Sequence, residues 1–261
     1  MVQKAITVDE FRTRMRNLPA TPPTAHRWNE HCQSIRRHAN NENPEEFLKW
    51  STVEGTMYVG DFSITREVYQ RLHDDPNWDM WYNTINDPKF GAPTPFEPCP
   101  RTSGNYVWQA SMLNDFMLLT GIDIRALDSI MEFGGGYGAM CNVARQWGFK
   151  GDYHLYDLPE VSLLQEYYLS NIGVEAQFHT LPPKIDVDLV IAISSLSETP
   201  PKIRDSFLAN VKARYYFIRF QDVFFDVDNH AYLYEWARNN LHNWTLCRTE
   251  MKTHWYLVGA K

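Results

Sequence analysis

The feature that most constrains the fold of this chain is a short apolar run that ends in a cluster of glycines. Residues 129–140 read SIMEFGGGYGAM, and glycine occupies four of the five positions 134–138. SIMEF (129–133) reads as a strand, and YGAMCNVARQWG (137–148) has the pattern of a helix that ends at Gly148. Because glycine has no Cβ, such a turn lets the backbone approach a ligand closely.

The alternation of strands and helices that begins at this turn continues to the end of the chain. Further strands are predicted at 152–157, 174–179, 188–194, 214–220, 245–251 and 254–260, with helices at 159–173, 201–211 and 230–241. This order predicts an α/β fold with a mostly parallel, seven-stranded Rossmann-like sheet and helices on both faces. The last two strands are too close in sequence for a crossover, so they are expected to form an antiparallel hairpin.

The first part of the chain has a different character. We expect residues 1–125 to form a mostly helical N-terminal extension that caps the substrate, and residues 126–261 to form the sheet domain. Helices are predicted at 9–18, 27–41 and 103–121, the last of them amphipathic and ending at Gly121. The proline-rich stretch GAPTPFEPCP (91–100) is expected to be an ordered loop.

Composition narrows the choice of partners. The chain of 261 residues carries a formal net charge of −7, which argues against nucleic acid and anionic membrane surfaces as partners. No apolar run is long enough to span a bilayer, and the N-terminus has no signal-peptide core. The four cysteines are scattered without a CxxC pair, which favours reduced thiols and a cytoplasmic location.

Three ligands could explain the glycine turn. A nucleotide-phosphate loop requires Lys-Ser/Thr after the glycines, and this pair is absent from the sequence. The spacing of Gly134, Gly136 and Ala139 satisfies the dinucleotide fingerprint. Against a dinucleotide stand Glu132, which such a turn does not need, and the lack of a separate substrate domain after the nucleotide fold.

The pattern Glu132-x-Gly134-x-Gly136-x-Gly138 resembles the first motif of Rossmann-like S-adenosylmethionine-dependent methyltransferases. A carboxylate at the strand end suits the amino group and sulfonium of that cofactor, and the helix N-terminus suits its carboxylate. Asp157, at the end of the second strand, suits ribose hydroxyls, as an acid there also does in NAD-binding folds. The resemblance implies cofactor contacts from Glu132, Gly134, Gly135, Gly136, Tyr137, Gly138, Asp157, Leu158, Ser194 and Ser195.

Three stretches together resemble a narrower family, the sugar O-methyltransferases of polysaccharide decoration. They are MEFGGGYGAM (131–140), YDLPEVSLLQEYYLSNIG (156–173) and DLVIAISSLSETP (188–200), and the similarity covers roughly residues 100–220. It implies methyl transfer from S-adenosylmethionine to a sugar hydroxyl of a glycan or activated sugar, with S-adenosylhomocysteine as product. Ser197 and Thr199 depart from the glutamine and methionine of the family pattern, whereas Glu198 matches it.

The alternatives are a methyltransferase of a non-sugar natural product and a non-catalytic methyltransferase-like binding module. A homodimer and a module of a larger glycan-assembly enzyme are both compatible with the sequence.

Deprotonation of a hydroxyl acceptor needs a base, and three residues after the fourth and fifth strands are candidates. Glu198 is the first, although it could instead orient substrate or cap a helix; Asp222 is the second. His230 is the third, because an imidazole suits base work, but a lone loop histidine is more often a surface or capping residue. Asp226-Val227-Asp228 resembles a site for a divalent metal, but acids in an exposed loop are usually solvated, so no metal is assigned.

Acceptor recognition is assigned to the N-terminal extension. Its segment NYVWQ (105–109) mixes aromatic rings with amides, a combination that suits the apolar faces and hydroxyl edges of a sugar. We therefore predict substrate contacts from Asn105, Tyr106, Trp108 and Gln109. Core packing of the same residues is an equally good explanation.

Overall fold

The computed structural model describes residues 4–19, 26–249 and 251–261. Contacts divide the chain into two compact units. The first comprises Met1–Ala126, Gly136–Lys150 and Leu158–Ala176, and the second comprises Leu127–Gly135, Gly151–Asp157 and Gln177–Lys261. One change of unit lies next to the predicted boundary at 125/126, but two later segments group with the N-terminal part. The division into an extension and a catalytic domain therefore stays a prediction.

The first unit is mainly helical. Its helices are α1 (Val8–Asn17), α2 (His26–Asn41), α3 (Ser51–Thr56), α4 (Ser63–His73), α5 (Trp78–Thr84), α6 (Gly104–Thr120), α7 (Ala139–Trp147) and α8 (Pro159–Asn171). Short 3-10 turns occupy Pro44–Lys49 and Ile124–Ala126. The helices predicted in this part of the chain are confirmed, whereas α3, α4 and α5 were not predicted.

The proline-rich stretch is not only loop. Strands β1 (Pro95–Phe96) and β2 (Cys99–Ser103) form a small antiparallel pair there. Proline cannot donate to a ladder, but a two-stranded ribbon consists only of edges, where proline is tolerated. The prediction of an ordered loop over 91–100 was therefore wrong for these residues.

Helix α6 differs from the predicted amphipathic helix, because its first three turns are buried on nearly every side. It begins after Ser103, whose hydroxyl accepts a hydrogen bond from the Tyr106 N–H, and ends at Gly121, which has a left-handed φ of 71°. The helix packs against α4 and α7, so it has no broad solvent face to carry polar residues.

Helix α8 is covered by α1 and α2. The Arg36 side chain donates to the buried Glu160 carboxylate at 2.6 Å, and Arg14 Nη1 donates to Glu166 at 3.0 Å. The Phe11 ring stacks on Tyr167 with 4.3 Å between centroids. Polar residues of the stretch PEVSLLQEYYLS thus bind α8 to α1 and α2 within the first unit.

The second unit contains the main sheet. Its strands are β3 (Ser129–Phe133), β4 (Asp152–Tyr156), β5 (Gln177–His179), β6 (Ile185–Ile193), β7 (Val211–Gln221), β8 (Val223–Phe224), β9 (Val227–Asp228), β10 (Asn243–Arg248) and β11 (His254–Ala260). Helices α9 (Pro201–Asn210) and α10 (Asn229–Asn240) and a 3-10 turn at Leu196–Glu198 complete it.

The strand order of the sheet is β10-β11-β7-β6-β3-β4-β5, and β11 runs antiparallel to both of its neighbours. The predicted Rossmann-like seven-stranded methyltransferase sheet with its terminal hairpin is therefore confirmed. Strand β5 is shorter than predicted, and β10 ends at Arg248; position 250 of the predicted strand lies outside the described residues. The small β8–β9 ribbon was not predicted.

One face of β6 and β7 is covered by α9 and α10. Phe207 and Leu208 from α9 and Leu233 from α10 join the apolar core of the sheet. Within this core, Arg204 of α9 is only 1% exposed. Its guanidinium donates to the carbonyls of Thr199 and Ser197 at 2.5 and 2.6 Å and to Asn229 Oδ1 at 2.7 Å. Arg204 therefore holds the loop after β6 to the start of α10.

We predict that Arg204→Ala lowers the free energy of unfolding by about 3 kcal/mol, because two carbonyls and an amide oxygen lose a buried donor. Lys202→Ala, at an exposed position of the same helix, is the matched control and should change stability by less than about 0.5 kcal/mol. Urea unfolding of both variants measures the difference. Equal stabilities would contradict the role given to Arg204.

Candidate functional site

The centre of the sheet is where the direction of strand addition reverses. From β3 the chain adds β4 and β5 on one side, then returns to add β6 on the other side. In open α/β sheets the carboxyl ends of the strands at such a switch leave a crevice that holds ligands. Glu132 of β3, Asp157 after β4, and Ser194 and Ser195 after β6 stand at these ends.

The first half of the glycine turn is fixed by both neighbouring strands. Gly134 has a left-handed φ of 68°, and its N–H donates to the Tyr156 carbonyl of β4 at 2.9 Å. The Ser195 hydroxyl donates to the Phe133 carbonyl at the end of β3. A Cβ on Gly134 would collide with the Ser195 side chain, so glycine is required here for both its backbone angle and its size.

Glu132 is buried beneath this turn, with 4% of its surface exposed. The Tyr153 hydroxyl of β4 donates to Glu132 Oε2 at 2.8 Å. A Cβ on Gly135 would lie 2.9 Å from the same oxygen and 2.6 Å from Leu155 Cδ2. Burial raises the pKa of Glu132 to about 8, and the negative charge of Asp157 acts in the same direction. A cation beside this carboxyl would restore its ionised form.

Asp157 directly follows β4, and its N–H donates to the His179 carbonyl of β5 at 3.0 Å. This bond fixes the backbone of Asp157 at the end of the strand next to β3. The strand order thus brings Asp157 and Glu132 to adjacent strand ends on one edge of the sheet. Contact between Asp157 and a ribose stays a prediction.

Ser194 adopts a left-handed φ of 63°, which is uncommon for a residue with a side chain. Three bonds hold it: its N–H donates to the Arg219 carbonyl at 2.7 Å, Arg219 Nη1 donates to its hydroxyl at 2.9 Å, and the Ser197 hydroxyl donates to its carbonyl at 2.6 Å. Strained backbone that is overdetermined in this way occurs preferentially at ligand sites.

Of the three candidate bases, Glu198 is the closest in sequence to Ser194 and Ser195. It ends the 3-10 turn that follows Ser195, is partly buried, and accepts a hydrogen bond from Gln221 Nε2 at 3.4 Å. The structure thus joins Glu198 to the end of β7.

Asp222 and His230 belong to a different cluster. The Asp222 carboxylate accepts a hydrogen bond from Trp255 Nε1 and lies 4.0 Å from Arg248, both on the terminal hairpin. The His230 ring packs edge-on against Trp255 at 4.8 Å between centroids, and His230 lies in the first turn of α10. Both remain predicted bases, but their contacts suit a structural role.

The Asp226-Val227-Asp228 segment has a structural explanation. Asp228 caps α10, and its carboxylate accepts a hydrogen bond from the Ala231 N–H at 2.8 Å. Among the described residues, no group of three or more His, Cys, Asp or Glu side chains could hold a metal ion.

The second half of the glycine turn belongs to the first unit. Gly136 and Gly138 have left-handed φ values of 56° and 98°. Gln165 Nε2 donates to the Gly136 carbonyl at 2.9 Å, and the buried Tyr137 hydroxyl accepts from Asn105 Nδ2 at 2.8 Å. Leu158 precedes the first turn of α8 as its N-cap. Cofactor contacts from Gly136, Tyr137, Gly138 and Leu158 stay predictions.

The residues predicted to bind substrate are mostly interior. Asn105, Tyr106 and Trp108 are buried. The Tyr106 hydroxyl accepts from Asn142 Nδ2 at 2.6 Å and hydrogen-bonds the Tyr168 hydroxyl. Core packing, the alternative in the sequence analysis, accounts for these three residues, which form no acceptor surface in the first unit. Gln109 is partly buried, and its role stays a prediction.

Sequence reasoning missed Tyr153, Gln221 and Arg219. Tyr153 lies on the same face of β4 as Leu155, and a buried glutamate on the neighbouring strand requires a partner of this kind. That signal could have identified Tyr153 once β3 and β4 were paired. Gln221 and Arg219 have no signal in the sequence, because their contacts depend on the register of β6 and β7.

The sequence matches no family model and no curated protein. Among solved structures, PigF with S-adenosylhomocysteine shares 12% identity over 87% of this chain and 78% of that chain, with a TM-score of 0.46. ChlM, the magnesium protoporphyrin IX methyltransferase from Synechocystis, also solved with S-adenosylhomocysteine, shares 13% over 76% and 99%, with a TM-score of 0.44. Similarity at this level identifies neither a cofactor nor an acceptor, and the fold class follows from the strand order itself.

The exclusion of nucleic acid as a partner was wrong, because it rested on net charge alone. The chains of similar structure include the 16S rRNA methylase ArmA, with 16% identity over 57% of this chain and 82% of that chain and a TM-score of 0.39. They also include an rRNA methylase from Escherichia coli, with 10% identity over 98% and 100% and a TM-score of 0.42. Net charge sums the whole surface and does not describe the local surface that an acceptor meets.

Membrane insertion of a helix has no support in the described part of the chain, where none of the helices is both long and apolar enough to cross a bilayer. The cytoplasmic location stays a prediction.

We predict that Gly135→Ala destabilises the protein by about 2 kcal/mol, because its Cβ would overlap Leu155 and the Glu132 carboxyl. Gly55→Ala is the matched control: this α3 glycine has no heavy atom within 4 Å of an added Cβ, so alanine should be neutral or stabilise by up to about 1 kcal/mol. Thermal and urea unfolding measure both. Equal tolerance at the two sites would contradict the close packing beneath the turn.

Proposed function

We propose that this protein is an S-adenosylmethionine-dependent methyltransferase. The observation that carries the proposal is the buried Glu132 carboxyl beneath a side-chain-free turn at the switch point of the sheet, with Asp157 at the end of the adjacent strand. A ligand that carries an ammonium group and a ribose matches both acids. The dinucleotide alternative explains Asp157 but supplies no ammonium group for Glu132.

The residues present fit this cofactor. Glu132 would bind the ammonium group, and Asp157 would bind the ribose hydroxyls. The backbone of Gly134 and Gly135 would contact the cofactor, since a Cβ at either position is excluded by its neighbours. Ser194 and Ser195 would form the wall contributed by β6. Bound S-adenosylmethionine supplies the electrophilic methyl group.

The protein's own contribution is to position the acceptor and remove its proton. Alignment of the reacting atoms can supply about 7–11 kcal/mol in favourable systems, and a general base adds about 10²–10⁴-fold. Glu198 is the base we favour. Glu198 ends the 3-10 turn in the loop between β6 and α9, and Gln221 donates a hydrogen bond to its Oε1.

The class of acceptor is proposed from the resemblance in sequence. The three stretches that resemble sugar O-methyltransferases favour a sugar hydroxyl of a glycan or activated sugar. The burial of Asn105, Tyr106 and Trp108 removes the support that aromatic residues gave to this assignment. A non-sugar small molecule and a non-catalytic binding module remain the alternatives, and an acceptor screen distinguishes them.

We expect calorimetric titration to show binding of S-adenosylhomocysteine and no binding of NAD. Asp157→Ala should weaken S-adenosylhomocysteine about 10- to 100-fold, because the ribose loses a charged hydrogen-bond acceptor. Asp152→Ala, at the exposed opposite end of β4, is the matched control and should leave the affinity unchanged. Binding of NAD in place of S-adenosylhomocysteine would contradict the proposed function.

With an acceptor from a screen of sugars, small aromatic molecules and RNA oligonucleotides, Glu198→Gln should lower kcat about 10²–10⁴-fold. Its affinity for S-adenosylhomocysteine should stay within about twofold of wild type, since the base contacts the acceptor and not the cofactor. A variant that keeps full turnover would show that Glu198 is not the base. The class of acceptor that turns over decides the substrate.

A further inference from the structure

The environment of Glu132 shows how this site would select a positively charged ligand. The carboxyl is almost fully buried, and the hydroxyl of Tyr153, itself 1% exposed, donates to Oε2 at 2.8 Å. Gly135 closes over the same oxygen, because even a Cβ at that position would lie 2.9 Å away. Tyr153 and the turn therefore fix the orientation of the carboxyl through Oε2.

The groups around Glu132 have opposite effects on its proton. Burial and the negative charge of Asp157 favour the protonated form, and together they raise the pKa of Glu132 to about 8. The Tyr153 hydrogen bond acts the other way, because it stabilises the carboxylate. On β6, the residue paired with Glu132 is Ile191, which carries no charge. Tyr153 and Asp157 are thus the titratable groups that face Glu132 from the second unit.

We propose that Tyr153 is a positioning residue for Glu132, and that binding of the ammonium end of the cofactor releases the Glu132 proton to solvent. The inference rests on the proposed function. On binding, the O–H bond of the Glu132 carboxyl breaks, its electron pair stays on the carboxylate, and the proton passes to the buffer. The Tyr153 hydroxyl keeps its proton and continues to donate to Oε2.

The sign of the pH dependence follows from this exchange. Below about pH 8 the Glu132 carboxyl of the ligand-free protein holds the proton, so the ligand must displace it and binds more weakly as the pH falls. Affinity should therefore rise with pH by nearly tenfold per unit between about pH 6 and 7.5 and level off above about pH 8. Proton release should be close to one per ligand at about pH 6.5 and should decline towards zero above about pH 8.5.

The experiment is calorimetric titration with S-adenosylhomocysteine between about pH 6 and 8.5, in two buffers of different ionisation enthalpy, which counts the protons released. Wild type should show the rising affinity and the proton release. Glu132→Gln should bind more weakly with neither effect, since an amide has no proton to lose. Tyr156→Phe is the matched control on the same strand, because its ring packs against Phe133 and Phe207. It should behave as wild type.

The Tyr153→Phe variant shows whether the Tyr153 hydroxyl positions Glu132 or whether the Tyr153 ring only packs in the core. Loss of the donor should move the rise in affinity to higher pH, so that affinity falls about tenfold at pH 6.5 and much less at pH 8.5. A merely structural loss would lower the affinity equally at every pH and would overturn the role of Tyr153. Tight binding by wild type with no proton release would overturn the proton exchange while leaving the proposed function intact. Absence of any binding would instead contradict the proposed function.

Discussion

The hydrogen bond between Tyr153 and the buried Glu132 carboxyl is the interaction on which the arrangement of this sheet edge depends. A carboxyl without a donor would be costly to bury at this depth, and a charged one more so. The bond requires β3 and β4 to be neighbours in register, and it requires a turn after Phe133 without side chains. The strand pairing, the glycines and the acid are therefore parts of one arrangement and not separate motifs.

Ser194 and Ser195, at the end of β6, are also held by several hydrogen bonds. The Ser195 hydroxyl ties β6 to the Phe133 carbonyl, and the left-handed Ser194 is fixed by Arg219 and Ser197. Arg204 anchors the same loop from below through the Ser197 and Thr199 carbonyls. The loop between β6 and α9 thus has little freedom. This rigidity suits the segment that carries the proposed base Glu198, because small displacements of a catalytic group lower the rate strongly.

The sequence predicted the β3–turn–α7 segment and the terminal hairpin well, since both depend on local signals: the glycines after SIMEF and the short gap before HWYLVGA. It also predicted that Glu132 and Asp157 stand at strand ends, which is where the structure has them. It could not identify Tyr153 as a partner, because that contact depends on the pairing of β3 with β4. For the same reason Asn105 and Tyr106 were assigned to substrate: an interior amide–phenol network and a sugar site use the same residue types. The orientation of Asp222 towards Trp255 likewise follows from the register of β7 and β11.

A crystal structure of the protein with S-adenosylhomocysteine tests the central claim most directly. The account predicts the ammonium of the ligand beside Glu132, with the Tyr153 hydroxyl still donating to that carboxylate, and the ribose hydroxyls against Asp157. A ligand bound elsewhere, or one whose ribose and ammonium contact neither acid, would contradict it.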